Sequence, residues 1–241
     1  HQGHKPVAMG IQISDFAGGA MHVAIAVLAA VYQRTTKGIG QYIDVSMTDA
    51  IFTMNALYGA QYFGSGRIPQ PEEEILNGGT FYDYYETKDG RYFSVGSIEP
   101  HFRKLLCEAL GIPELIDSTF NDSAYTQRRF KEAISDSFKS KTFDEWLEVF
   151  GNDFNGCVEP VLDFEEACQH PQIVARNLVV DVPKADGTVQ KQIGTAIKFQ
   201  QVEPTYQFVG TTLGAHTEEI LCNLGYAKEK IEQFKNSGVL D

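Results

Sequence analysis

Two kinds of hydrophobic pattern divide the chain. Over residues 20–37 the apolar side chains of Met21, Val23, Ile25, Val27, Leu28, Val31 and Tyr32 fall on nearly every side of a helix, which predicts a helix buried all round at about 19–37. A polar and glycine turn at 15–19 precedes it, and Gly38 supplies a natural stop. Residues 41–47 alternate through Tyr42-Ile43-Asp44-Val45, predicting a short strand at 41–46. Ser46 or Thr48 can then cap a second long helix at about 48–63, with Asp49 in its first turn and Gly64-Ser65-Gly66 at its end. Residues 67–79 hold two prolines, three consecutive glutamates and Asn77-Gly78-Gly79, the composition of a linker or mobile loop.

Beyond residue 80 the pattern changes to hairpins and amphipathic helices. Strands are predicted at 81–86 and 91–97, joined by Lys88-Asp89-Gly90, an Asp-Gly turn between aromatic runs. A helix runs from Pro100 to about Leu110, and further helices are predicted at 122–139 and, capped by Thr142, at 143–150. A strand at 157–162, a short helix at 164–168 halted by Pro171, and a hairpin at 178–182 and 189–193 around Asp186-Gly187 follow. Two helices close the chain near 217–224 and 227–236. The fold class is therefore α/β, of mixed α and β elements, with a small α+β domain at 80–195, long buried helices in 1–70, a linker at 71–79 and tail helices in 196–241.

Composition narrows the function classes. Twenty Lys and Arg against 32 Asp and Glu leave a net charge of −12, a poor match for nucleic acid or anionic lipid. Residues 1–70 are nearly neutral, with Lys5, Arg34, Lys37 and Arg67 against Asp15, Asp44 and Asp49. The acidity thus belongs to residues 71–241, and the first part reads as a segment covered by other protein. The apolar stretch near 20–32 is interrupted by His22 and is too short for a membrane span. Cys107, Cys157, Cys168 and Cys222 form no CxxC pair, so they read as free thiols, mostly buried, in a reducing cytoplasm. No phosphate-binding loop, HExxH or GxSxG is present, and the six histidines lack metal-ligand spacing, so no metal is expected.

Two carboxylates stand out. Asp15, in Ile13-Ser14-Asp15-Phe16, precedes the pair Gly18-Gly19 and the apolar helix. Glu99 lies between Val95-Gly96-Ser97-Ile98 and Pro100, at the exit of a strand and the start of a helix. Each serves either as a helix cap, which is what most carboxylates at such positions do, or as an acid–base group or nucleophile beside a pocket. Tyr82, Tyr84, Tyr85 and Tyr92 cluster in the first hairpin, where aromatic pairs commonly pack.

Residues 76–102, LNGGTFYDYYETKDGRYFSVGSIEPHF, resemble the family III CoA-transferase superfamily, of the CaiB/BaiF type, and within it the α-methylacyl-CoA racemase branch. Residues 13–50, 157–177 and 213–240 agree in order and spacing. The resemblance implies a two-domain α/β protein that forms an interlocked homodimer, acts on an acyl-CoA thioester, and needs no cofactor beyond the coenzyme A of its substrate. It implies no nucleic-acid or membrane partner.

In the racemases a His and an Asp stand on opposite faces of the substrate α-carbon. Asp15 falls at that Asp. In the transferases an Asp in the similar place is instead a nucleophile. Glu99 matches a Glu that orients the racemase His, and Tyr82 matches a Tyr lining the acyl pocket. Gly18 and Gly19 would let a bulky thioester approach the backbone, and N–H groups at this helix start could face the enolate oxygen. An apolar setting would help the Asp alternate between acid and base. The His belongs to a GHD motif upstream of the Asp motif. Gly3-His4-Lys5 matches only a loop there, so the chain reads as the C-terminal part of a longer enzyme. A CoA-transferase and a non-catalytic dimerisation module remain the alternatives.

Overall fold

In the computed structural model the described residues are 3, 5–118, 123–151 and 153–240. They form two compact units, 1–161 and 162–241. The first unit opens with eight π-helical residues, Ser14–Met21, that run directly into α1, His22–Lys37. Gly38, at φ 71°, ends α1 in the left-handed conformation that glycine adopts without steric cost.

Four expectations for this part need correction, the last of them the second long helix. The helix is not buried: α1 has no buried residue, and Ile25, Leu28 and Tyr32 are 65%, 70% and 72% exposed. An all-round apolar surface calls for cover on every side, and within this chain the cover does not form. The continuous helix Ser14–Lys37, 24 residues long, also has the length and apolar content to cross a bilayer, so the stretch is not too short. The core helix of a soluble protein has the same profile. Residues 38–46 form neither helix nor strand. Among the described residues their alternation meets no neighbouring strand to share a ladder of hydrogen bonds.

The second long helix is two: α2, Met47–Thr53, and α3, Ala56–Ser65. Ser46 caps α2, its Oγ accepting the Asp49 N–H at 3.3 Å. The break comes where polar side chains bond back to the preceding turn, Thr53 Oγ1 to the Ala50 carbonyl and Asn55 Nδ2 to the Ile51 carbonyl. Residues 67–79 are tethered. Arg67 holds Glu74, 4% exposed, at 2.6 Å; Asn77 spans from the Glu74 N–H to the Gln70 carbonyl; and Lys131 Nζ donates to the Gly78 carbonyl.

The rest of the first unit follows the hairpin and helix pattern closely. Strands β1, Asp83–Glu86, and β2, Tyr92–Val95, pair antiparallel across a turn in which Gly90 has φ 81°. The third strand, β3, Val158–Pro160, pairs with β2 on its other edge, giving the order β1-β2-β3. Around them lie α4, Pro100–Leu110; a 3-10 turn, Pro113–Leu115; α5, Ala124–Phe138; and α6, Phe143–Phe150. The start predicted for α5 at residue 122 lies outside the described residues.

Phe93 and Val95 alternate inward along β2 and meet an aromatic core. Phe93 lies 5.6, 5.0 and 5.4 Å from the rings of Phe138, Phe143 and Phe150. Trp146 lies tilted against Phe138 at 5.1 Å and satisfies its indole N–H on the Phe138 carbonyl.

The second unit contains α7, Phe164–Gln169, and α8, Pro171–Ala175. Pro171 ends one helix and, at the first position of the next, begins another, the place where its missing N–H costs nothing. Strands β4, Val179–Pro183, and β5, Val189–Ile193, form an antiparallel hairpin. Helices α9, Thr217–Asn223, and α10, Lys228–Asn236, close the unit. Of the four thiols, only Cys107 is buried, which corrects the expectation that most would be.

Candidate functional site

Asp15 sits inside the first turn of the π-helical segment, and Ile13, not Asp15, takes the N-cap position. Its carboxylate is exposed. A π-helical turn widens the backbone ladder and recurs at functional sites. This one is held by α2. Gly18 is buried, and a Cβ there would come within 3.2 Å of Ile51 Cγ1 and 3.3 Å of the Met47 carbonyl oxygen. Gly19 faces the Met47 side chain at 3.4 Å. Both glycines therefore have a packing reason: they let α2 approach the segment that carries Asp15. His22, one turn later, binds the Ala17 carbonyl through Nδ1 at 2.6 Å. A carbonyl only accepts, so Nδ1 is the donor in this bond.

Glu99 is the N-cap residue of α4, yet its side chain makes no capping hydrogen bond. Capping does not explain this carboxylate, which is exposed. Cys157 lies beside it. Partial burial of the thiol, then the carboxylates of Glu99 and Glu159, push Cys157 above the usual thiol range. The group stays a protonated thiol rather than a nucleophile at neutral pH. Tyr82 is close to the same turn: a Cβ on Gly96 would meet its Cε2 at 3.4 Å.

Tyr82 also lines a cleft of about 790 Å³ with Tyr58, Leu76, Tyr84 and the loop around Pro69 and Pro71. The lining includes Glu72, Glu74 and Asp83 but neither Asp15 nor Glu99. Glu74 faces Arg67, and Asp83 faces Lys131 at 2.7 Å. The structure thus gathers Tyr82, Gly96, Glu99 and Cys157 into one neighbourhood, and Asp15, Gly18 and Gly19 lie where the π-helical segment meets α2. Tyr58 carried no signal in the sequence, whereas Tyr84 stands in the tyrosine cluster at 82–92 and Tyr82 is the residue the family resemblance pointed to. Among the described residues, no group of three or more His, Cys, Asp and Glu gathers as a metal site would require.

The family model for CoA-transferase family III matches residues 1–217, and the chain belongs to that family. It is 31% identical over 242 residues to the human α-methylacyl-CoA racemase, covering 99% of this chain and 62% of that protein. It is 27% identical over 227 residues to the succinate–glutarate CoA-transferase of Agrobacterium fabrum, covering 91% and 55%. A solved CaiB/BaiF family protein from Brucella suis superposes with a TM-score of 0.69 at 22% identity, over 92% of this chain and 58% of that one, and shares the fold. The chain spans about three fifths of the length of these relatives.

Proposed function

We propose that the chain carries the C-terminal part of an acyl-CoA racemase or epimerase, which inverts the α-carbon of a 2-methylacyl-CoA through an enolate. The observation that carries this reading is that neither carboxylate is used up as a helix cap: Asp15 lies inside the π-helical turn and Glu99 caps no N–H of α4. Two racemases among the relatives, at 31% and 30% identity, support it, and an acyl-CoA transferase at 31% identity keeps transfer as the alternative.

A thioester α-proton is weakly acidic, so its removal needs a base near the carbon and donors near the developing enolate oxygen. In this reading Asp15 takes or returns the proton on one face. A second base outside this chain, the His of the upstream motif, serves the other face, and Glu99 orients it. One C–H bond breaks and one forms, so no redox cofactor or metal is required. Tyr82 and its cleft take the acyl group, and Gly18 and Gly19 let α2 pack against the turn that carries Asp15. We further propose a cytoplasmic, interlocked homodimer whose interface includes the exposed apolar face of α1, with domains divided at 1–70, 71–79, 80–195 and 196–241. It needs no nucleic-acid or membrane partner.

The transferase reading makes Asp15 a nucleophile that forms acyl-anhydride and thioester intermediates. Incubating the full-length protein with a 2-methylacyl-CoA in deuterated water separates the two. Racemisation predicts deuterium at the α-carbon without acyl exchange onto added carboxylates. Hydroxylamine or borohydride trapping at Asp15 would contradict it. The 241-residue chain by itself is expected not to racemise, because the partner base is absent from it.

A further inference from the structure

Glu99 stands on a turn that four consecutive residues hold from two sides. The Gly96 N–H donates to the Cys157 carbonyl at 2.8 Å, and Ser97, fully buried, donates Oγ to the Gly156 carbonyl at 2.5 Å. The Ile98 carbonyl accepts Nη1 of Arg103 at 3.0 Å, and the Glu99 carbonyl accepts the Arg103 backbone N–H at 2.9 Å. The same guanidinium donates Nε to the Ile116 carbonyl at 2.9 Å. Arg103 therefore ties the turn before Glu99 to the chain just beyond the 3-10 turn.

The burial of Arg103 calls for a reason. It is 5% exposed and shares the inward stripe of α4 with Leu106, Cys107 and Leu110, where an aliphatic side chain would pack without losing hydration. A guanidinium in that place has one advantage: its planar fork fixes two acceptors at a set angle, which an ammonium does not. Both acceptors are backbone carbonyls, so what the fork fixes is the path of the chain. That path leaves residue 99 extended, at φ −68° and ψ 144°, with its carboxylate free of capping.

We propose that Arg103 is a positioning residue for Glu99, acting with Ser97 to hold the carboxylate in place for the reaction. The proposal rests on the reading of Glu99 as a site residue, and the test separates the two. In the full-length protein, racemisation of a 2-methylacyl-CoA is measured for wild type, Arg103→Lys, Glu99→Gln and the double variant, with melting temperatures alongside. Arg103→Lys should lower kcat about tenfold with KM little changed, as loss of a supporting contact does. In the Glu99→Gln background the same change should lower kcat no further, because there is no carboxylate left to position. An equal fall in both backgrounds, or a change in melting temperature alone, overturns the proposal and leaves Glu99 standing. A wild type without racemase activity, or Glu99→Gln with full activity, removes the reading of the site and the proposal with it. Should Arg103→Lys not fold, Ser97→Ala, which frees the other side of the same turn, carries the same cycle and the same outcomes.

Discussion

Residues 14–66 and residues 80–161 of the first unit are both rich in large apolar side chains, and they end in opposite states. In the second stretch Phe81, Phe93, Phe130 and Phe138 are completely buried, because β1 to β3, α5 and α6 each present an apolar face that another accepts. In the first, α1 and α3 bury no residue at all. The difference lies in the neighbours rather than in the hydrophobicity. A stripe on one face of a helix is satisfied by one partner, whereas a surface apolar all round needs several. Large exposed apolar surfaces mark places where protein meets protein or membrane. The exposed corner is also where Asp15 stands, so in the proposed whole enzyme the surface that completes the fold would also enclose the site.

This comparison can be broken most forcefully at Phe138, whose ring meets Tyr85, Phe93, Trp146 and Phe150. Phe138→Ala should cost about 3–5 kcal/mol, read from the urea midpoint of the chain. A loss below about 1 kcal/mol would mean that the aromatic cluster is not the core.

A smaller effect is expected at the turn that docks the hairpin onto α6. Asp89 accepts the Thr87 hydroxyl at 2.6 Å and the Phe143 N–H at 2.9 Å, and these bonds, the Thr87 bond foremost, hold its carboxyl below the usual range. A carboxyl held lower in the folded state contributes stability that is complete above its unfolded pKa, about 4, and is lost as pH falls through the folded value. Asp89→Asn should therefore melt below wild type at neutral pH, and the gap should close on acidification below about pH 4. A gap independent of pH would assign the effect to shape rather than charge.

The smallest effect sharpens the comparison from the other side. Leu28 on α1 is 70% exposed. In this chain Leu28→Ala should change stability by no more than about 0.5 kcal/mol. A loss several times larger would show that α1 is covered after all.

What the sequence made legible follows the same division. The Asp89-Gly90 turn, the start of α4 at Pro100 and the Thr142 cap of α6 were legible because each depends on a few neighbouring residues. The strand expected at 41–46 was not, since alternation specifies a face but cannot supply a ladder partner. The burial of α1 failed for the same reason. In the site, Glu99 and Tyr82 could be singled out from their motif, and the structure sets both around Gly96 and Cys157. Arg103 was missed although its spacing from Leu106, Cys107 and Leu110 placed a cation on the apolar stripe of α4. That clash between charge and pattern was the available signal. Gly18 was expected to open space for a substrate, and a direct packing partner, Ile51, became visible only once α2 was in place.

The account turns on Asp15 as the group that moves the α-proton, and Asp15→Asn in the full-length protein tests it most directly. The amide keeps the shape of the side chain but cannot take the proton. Racemisation of a 2-methylacyl-CoA should fall by about 10²-fold or more, with the melting temperature within a degree or two of wild type, because the carboxylate is exposed and is not the cap of its helix. Racemisation at the wild-type rate in Asp15→Asn would contradict it.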